Sequence, residues 1–326
     1  MAKKEKILII GAGGQIGQEL TEALIMKYGK SQVIISDKLK YIPDLPTDFI
    51  YRQLDVLDKN LLTETVRNEG VTQIFHLAAL LSGSAEKNPQ LAWQVNMQGL
   101  LNVLETAVAQ KVSKVFWPSS IAVFGNQSPK INCPQHTVTE PSSIYGISKC
   151  AGEYWCNYYY EKYGLDVRSV RYPGLISYKA APGGGTTDYA VDIFVSAVNN
   201  QEYTCFLEAD TALPMMYMPD AIRATIQLMD APAEKLSVRT SYNLSALSFT
   251  PEELTAAIRQ EIPDFRIAYK PDFRQKIADS WPDSIDDHFA RADWNWKAEY
   301  DLKTMVKEML EGERLKNHHN SFASCS

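Results

Sequence analysis

An apolar run, Lys6–Ile10, leads straight into Gly11-Ala12-Gly13-Gly14-Gln15-Ile16-Gly17, and a helical pattern starts at Ile16. A junction of this kind leaves a chain few ways to fold. Glycine at 11 permits a tight turn out of a strand, and glycine at 14 lets backbone approach a pyrophosphate. Glycine at 17 lets the following helix pack closely on the sheet. The first turn of that helix, which holds Gln15 and Ile16, offers free N–H groups and a partial positive charge to phosphate oxygens. Set between a strand and a helix, the pattern reads as a dinucleotide cradle in preference to a plain turn.

The rest of the first half keeps the same rhythm. Further strands are expected at 32–36, 49–54, 73–77, 114–119 and 166–171, with helices at 59–69, 90–110 and 145–163. The strands are continuously apolar more than alternating, as when helices cover both faces of a sheet. Such alternation predicts an α/β fold with a doubly wound parallel sheet and ligands at the carboxyl ends of its strands. After Arg171 the rhythm breaks. A loop carries Pro182 and Gly183-Gly184-Gly185, a helix follows near 187–199, and short strands are expected at 215–218, 242–244 and 266–269. Thr250-Pro251-Glu252-Glu253 is a capping box with proline at the first helical position. The expected organisation is a dinucleotide-binding domain over 1–171 and a smaller mixed α/β substrate lobe over 172–315, partly interleaved with the sheet. A frayed tail is expected over 316–326.

Composition narrows the function classes. Thirty-three basic residues against thirty-nine acidic ones give a net charge of −6 with no basic run, which argues against a nucleic-acid partner. The longest apolar stretches are strand-sized, so no membrane span is expected. The five cysteines (Cys133, Cys150, Cys156, Cys205 and Cys325) form no Cys-x-x-Cys and are odd in number, which fits free thiols in a reducing compartment. The first strand begins so early that no leader is expected. A cytoplasmic enzyme fits, as does one of the mitochondrial matrix. The five histidines show no paired ligand spacing, so no metal is expected.

Chemistry-bearing residues follow the strands. Asp37 ends the second one, where a carboxylate can accept both ribose hydroxyls of an adenosine and repel a 2′-phosphate, favouring NAD over NADP. Asp55-Val56 sits where the adenine would lie, and His76-Leu77-Ala78-Ala79 would line the cofactor beyond the fourth strand. Tyr145 and Lys149 are four residues apart and fall on one helical face. A phenol has a pKa of about 10, so it makes a poor base near neutrality unless cations favour the phenolate. A depression of roughly three units corresponds to ~4 kcal/mol. Ser119-Ser120 end the fifth strand just upstream, where a hydroxyl can hold a substrate oxygen beside the phenol.

Over essentially its whole length the chain resembles the extended short-chain dehydrogenase/reductase family, which includes the NAD-dependent epimerases and dehydratases. The matching motifs are Gly11-x-x-Gly14-x-x-Gly17, HLAA at 76–79, Asn96 in the long helix, PSSIAVFG at 118–125, YGISK at 145–149 and RYPG at 171–174. The resemblance implies a Rossmann fold and NAD, with Tyr145 as acid/base. Lys149 would bind the nicotinamide ribose and lower the Tyr145 pKa, and Ser120, or Ser119, would orient the reacting hydroxyl. Asn96 would support the cofactor site, and Tyr172-Pro173-Gly174 would contact the nicotinamide end.

Closer motifs are similar to the short-chain L-threonine 3-dehydrogenase branch of that family: LLSGSAEKNP (80–89), PGGGTTDYAV (182–191), DSWPDSIDD (279–287) and ADWNWKAEYDL (292–302). This resemblance implies oxidation of the L-threonine β-hydroxyl. Ser82, Ser119, Tyr145, Thr187 and Asp188 would bind or activate the substrate, and Trp281 would help to close the site. A small zwitterion needs short polar partners, so Ser82, Thr186 and Thr187 are expected at its carboxylate and Asp188 at its ammonium. Two other readings stand beside it. A nucleotide-sugar epimerase or dehydratase would use some of Arg223, Arg239, Arg259, Arg266, Arg274 and Arg291 to hold a diphosphate. A non-catalytic dinucleotide sensor would not need both Tyr145 and Lys149. Family members usually form homodimers through the Tyr/Lys helix and the long helix before it, and Val103, Ala107 and Trp155–Tyr160 are apolar or aromatic enough for that.

Overall fold

The computed structural model describes residues 5–42, 49–180 and 183–323. In its first half strand and helix alternate: β1 (Ile7–Ile10), α1 (Gln15–Tyr28), β2 (Val33–Asp37), β3 (Ile50–Gln53), α2 (Lys59–Glu69) and β4 (Gln73–His76). There follow α3 (Ser82–Lys87), α4 (Pro89–Trp93), α5 (Gly99–Ala109), β5 (Lys114–Phe116), β6 (Ser119–Ser120), α6 (Ile144–Tyr163), β7 (Asp166–Arg168) and β8 (Val170–Tyr172). Six strands form one parallel sheet in the order β3-β2-β1-β4-β5-β7, with Ile7 opposite Val33 on one side and Gln73 on the other. The winding reverses between β1 and β4, so the loops leaving their carboxyl ends diverge and open a crevice.

Both faces of this sheet are covered, which is why its strands read as apolar runs. Ile7 and Ile9 pack with Leu20 and Leu24 of α1 on one face, whereas Leu8 and Ile10 pack with Leu62, Val103 and Leu104 on the other. Burying each such side chain stabilises by about 1.5–3 kcal/mol before entropy is counted. Val103 and Ala107 are fully buried in this core, so they are not available to a partner as expected. Trp93 of α4 and Trp155, Tyr158 and Tyr163 of α6 are exposed at 38–48%, and Tyr154 of α6 at 62%.

The expected single helix over 90–110 is interrupted. A π-helical turn over Gln94–Gln98 joins α4 to α5 and carries the buried Asn96. The expected strand at 114–119 also breaks, because Pro118 cannot donate to a ladder. The two serines after it pair instead with Arg171 and Tyr172 of β8.

The second half runs β9 (Gly174–Ile176), α7 (Tyr189–Val198), β10 (Tyr203–Cys205), β11 (Leu213–Tyr217), α8 (Met218–Asp230), β12 (Tyr242–Asn243) and β13 (Leu247–Phe249). It closes with α9 (Pro251–Glu261), β14 (Ile267–Tyr269), α10 (Phe273–Asp279), α11 (His288–Trp294) and α12 (Leu302–Ala323). The capping box forms: Thr250 Oγ1 accepts from Glu253 N at 3.1 Å and Glu253 Oε2 accepts from Thr250 N at 2.8 Å. One core here gathers Tyr189, Ile193, Phe194, Phe249, Leu254 and Ile258 with Ile121–Phe124 from the first half. The two halves therefore share packing across residue 171.

The tail expectation needs correcting. Helix α12 continues through Lys316 to Ala323. Met305, Val306, Met309 and Leu310 anchor it in the core, and the helix formers that follow propagate it. Lys316 Nζ meets Glu313 Oε1 at 3.3 Å, and Asn317 Nδ2 donates to Asn199 Oδ1 at 3.0 Å. Pro182, Cys325 and the side chains of His318 and His319 lie outside what is described. No described helix is long and apolar enough to cross a membrane.

Candidate active site

The glycine turn closes on β2: Gly11 N and Ala12 N both donate to Ser36 O, at 2.9 and 3.0 Å. Gly11 has φ +86°, and a Cβ there would sit 2.6 Å from Ala78 N. A Cβ on Gly17 would lie 2.5 Å from Gly11 O and 2.6 Å from Ala12 Cα. The two glycines thus let the turn, the fourth strand's exit and the start of α1 occupy the same space. Gly14 caps α1 with no side-chain acceptor. Its first-turn N–H groups are left to the cavity that Gly13, Gly14, Gln15, Ile16 and Gly17 line. Gln15 Nε2 is buried there with no partner among the described residues. Unpaired donors at a helix N-terminus fit the phosphates of a dinucleotide. At the rear of the loop Asp37 Oδ2 accepts from Gly13 N at 3.0 Å and Oδ1 from Leu39 N at 3.2 Å.

The cavity, of about 520 Å³, extends from this cradle past Leu77, Ala79, Ser119, Ser120, Tyr145 and Lys149 to Tyr172, Pro173 and Gly174. Ser82, Thr186, Thr187, Asp188 and Trp281 form its far wall. Helix α6 delivers the phenol and the amine, with Ser143 Oγ accepting from Gly146 N at 3.1 Å to cap it. Lys149 is buried. Its Nζ donates to Pro118 O at 2.6 Å and lies 4.4 Å from the Trp117 ring centre and 5.5 Å from that of Tyr145.

Burial pushes the Lys149 ammonium down to about 7, and pushes the Tyr145 phenol up to about 12. The Ser120 hydroxyl works against the second shift by hydrogen bonding to Tyr145. The expected depression of Tyr145 by Lys149 is thus not what the protein alone provides. His76, at the end of β4, is pushed down to about 3 by burial and then by the Lys149 charge, and both its ring nitrogens lack partners among the described residues.

The serine pair is divided. Ser120 stands beside Tyr145, where its hydroxyl favours the ionised phenol, and accepts from Ala122 N at 3.2 Å, whereas the buried Ser119 donates to Glu153 Oε1 at 2.6 Å. Other expected residues are held by the protein itself. Asn96 Oδ1 accepts from Leu80 N at 2.8 Å, and its Nδ2 donates to Leu80 O at 3.1 Å and Ser148 Oγ at 3.2 Å; it braces the loop after β4 from behind. Asp55 Oδ1 accepts from Leu57 N at 2.9 Å, and the buried Val56 packs on Gly99. Ala78 backs the Gly11 turn, and neither it nor Asp55 or Val56 lines the cavity. Tyr172 turns its hydroxyl into the core toward Thr225.

The far wall is braced by its own loop. Asp188, expected at a substrate ammonium, has its Oδ2 engaged by Gly184 N at 2.8 Å and Gly185 N at 2.6 Å, and burial pushes its carboxyl up to about 6. The glycine loop it secures is folded over α3, with Gly83 N donating to Gly184 O at 3.0 Å. Ser82 Oγ and Thr186 Oγ1 are 3.3 Å apart. Lys130 Nζ donates to Trp281 O at 2.7 Å and fixes that residue's backbone. None of the six arginines considered for a diphosphate is among the described residues that line the cavity. Arg223 pairs with Asp220, Arg239 with Asp166, Arg274 with Asp272 and Arg291 with Asp287, and Arg259 donates to Phe265 O. Among the described lining residues the charged ones are Lys149 and Asp188.

A doubly wound sheet, a glycine cradle at its switch point and a Tyr/Lys pair facing the same cavity define an NAD-dependent enzyme of the Rossmann type. The chain belongs to the NAD dependent epimerase/dehydratase family, whose model matches residues 7–245. The holo form of the GalE-like L-threonine dehydrogenase from Cupriavidus necator is 58% identical, with a TM-score of 0.92 over 94% of this chain and 99% of that one. The L-threonine dehydrogenase of Clostridium difficile is 48% identical, with a TM-score of 0.93 over 96% and 98%. An uncharacterized epimerase/dehydratase of Staphylococcus aureus is 48% identical over 309 residues, which is 94% of this chain and 96% of the relative.

Proposed function

We propose that the enzyme oxidises the β-hydroxyl of L-threonine to L-2-amino-3-oxobutyrate, with Tyr145 as general base. The reading rests on one cavity in which Tyr145, Lys149 and Ser120 stand between the cradle and a wall of Ser82, Thr186 and Thr187. Small hydroxyls without a guanidinium suit an amino-acid zwitterion better than a nucleoside diphosphate. The likeness to the Cupriavidus and Clostridium threonine dehydrogenases supports the same substrate.

The cradle N–H groups and the Gln15 amide would receive the cofactor's pyrophosphate. Asp37 would take the adenosine ribose, Lys149 the nicotinamide ribose, and Tyr172–Gly174 the nicotinamide end. When bound, the oxidised dinucleotide supplies the hydride acceptor and a positive ring charge. Tyr145 takes the substrate hydroxyl proton as the β-hydrogen leaves. With its phenol held near 12 in the protein alone, it needs stabilisation as phenolate. Ser120 donates a hydrogen bond to it, and the Lys149 ammonium adds charge 5.5 Å from the ring centre. Ser82, Thr186 and Thr187 hold the substrate carboxylate. Asp188 acts on the glycine loop, which with Trp281 keeps water from the reacting carbon. A second copy of the chain packs against the exposed aromatics of α4–α6 to form a homodimer.

The test is reduced-nicotinamide absorbance with NAD and a panel of amino-acid alcohols. L-threonine is expected to give the highest kcat/KM. No signal with L-threonine, or an NAD retained without net reduction in the presence of nucleotide sugars, would count against the assignment.

A further inference from the structure

Tyr145, Lys149 and Glu153 recur at every fourth residue of α6, so the stripe that faces the site ends on a buried carboxylate with no part in the mechanism above. Glu153 Oε1 accepts from Ser119 Oγ at 2.6 Å and from Arg171 Nε at 2.8 Å, and its Oε2 accepts from Arg171 Nη2 at 2.7 Å. Arg171 is held from the far side as well: its Nη1 donates to Gln135 O and Asn243 Oδ1, both at 3.1 Å. A carboxylate gripped on both oxygens by a guanidinium is ionised and can only accept. The Ser119 proton must therefore point at Glu153. A hydroxyl has one proton and two lone pairs, and Ser119 also lines the cavity. Its remaining lone pairs lie beside an anion that enriches them, and it has no proton left to offer a substrate oxygen.

The cavity needs such an acceptor if the substrate carries an ammonium group, as the threonine reading requires. Among the described lining residues Asp188 is the acidic one; its Oδ2 holds the glycine-loop N–H groups, and Oδ1 alone cannot satisfy the three protons of an ammonium. We propose that Glu153 is a positioning residue that, by holding the Ser119 proton, makes Ser119 Oγ an acceptor for the substrate ammonium and so selects 2-amino alcohols over their deaminated counterparts. The assignment rests on the threonine reading and adds to it a residue that sequence motifs alone did not single out.

The test uses the full chain with NAD. It compares KM for L-threonine with the inhibition constant of (3R)-3-hydroxybutanoate, which keeps the hydroxyl and carboxylate but lacks the ammonium. In Ser119→Ala the L-threonine KM is expected to rise about tenfold or more, the weight of one hydrogen bond to a charged group. The hydroxybutanoate constant should change by less than about threefold, since it never made that bond. Ser119→Thr keeps the hydroxyl and should restore the L-threonine KM. Glu153→Gln should raise KM in the same direction and add nothing to Ser119→Ala, as residues acting through one contact do. Should Glu153→Gln fail to fold, the two Ser119 variants decide the matter. A parallel rise of both constants in Ser119→Ala, or a rise in neither, overturns the proposal and leaves the threonine reading intact. Absence of NAD reduction by the wild type with L-threonine overturns the function reading and the ammonium assignment with it.

Discussion

Replacing Ser120 by alanine removes the hydroxyl that pulls Tyr145 back from the shift that burial imposes. Burial drives the phenol up to about 12, and the Ser120 hydrogen bond opposes it. A hydrogen bond to an ionised group contributes about 1.5–3 kcal/mol and one to a neutral group about 0.5–1.5 kcal/mol. Its loss therefore disfavours phenolate relative to phenol by ~1–1.5 kcal/mol, or roughly one pKa unit at 1.36 kcal/mol per unit. A general base must be ionised to accept a proton, so activity falls as pH drops through its pKa, and a higher pKa moves that acid limb upward. In Ser120→Ala the limb of kcat/KM for L-threonine is expected to move up by about one unit, with a rate roughly tenfold lower on the slope and little change on the plateau. NAD affinity should stay as in the wild type. Ser120 also accepts from Ala122 N, so stability falls by about 1 kcal/mol, read separately by thermal unfolding. A uniform loss of rate at every pH, with the limb in place, would refute the idea that Ser120 tunes the base.

Wild-type enzyme should show a far lower KM for NAD than for NADP, and Asp37→Asn should narrow the gap by removing the charge that repels a 2′-phosphate; comparable wild-type values would count against Asp37. Gly17→Ala places a Cβ 2.5 Å from Gly11 O, an overpacking that costs about 1–3 kcal/mol and should lower Tm by about 1.5–4.5 °C. Lys149 is depressed by burial from 10.5 to about 7, so the unfolded chain binds the extra proton between those values. Its contribution to stability is fully present above the unfolded value and lost as pH falls to the folded one. Unfolding of the cofactor-free protein in urea should therefore show stability rising with pH above about 7 relative to Lys149→Met, and the variant should be the more stable at pH ~7. Sedimentation should give twice the 36.7 kDa chain mass, and Trp155→Arg on the exposed face should release monomer.

What was legible in the sequence is what the backbone imposes. Gly11 and Gly17 could be read because no Cβ fits at either place, and strand-helix alternation is the pattern that a sheet buried on both faces requires. Tyr145 and Lys149 could be read because a spacing of four puts both on one helix face. The directions of hydrogen bonds were not legible. Asp188 lies on the cavity wall, yet its carboxylate turns to the N–H groups of Gly184 and Gly185, which only the folded loop brings within reach. Asn96 braces Leu80 from a π-helical turn that helical periodicity does not encode. Glu153 had a signal, since it continues the four-residue spacing of Tyr145 and Lys149, but an acidic residue on a helix is ordinarily solvated. Only its pairing with Arg171, eighteen residues on, marks it as buried.

The proposed oxidation depends on Tyr145 as the base. Its most direct test is Tyr145→Phe, assayed for reduced nicotinamide with L-threonine and for NAD affinity by titration. Turnover should fall by at least about a thousandfold with NAD affinity kept within a few-fold. A variant that binds NAD and still turns over L-threonine at a substantial fraction of the wild-type rate would contradict it.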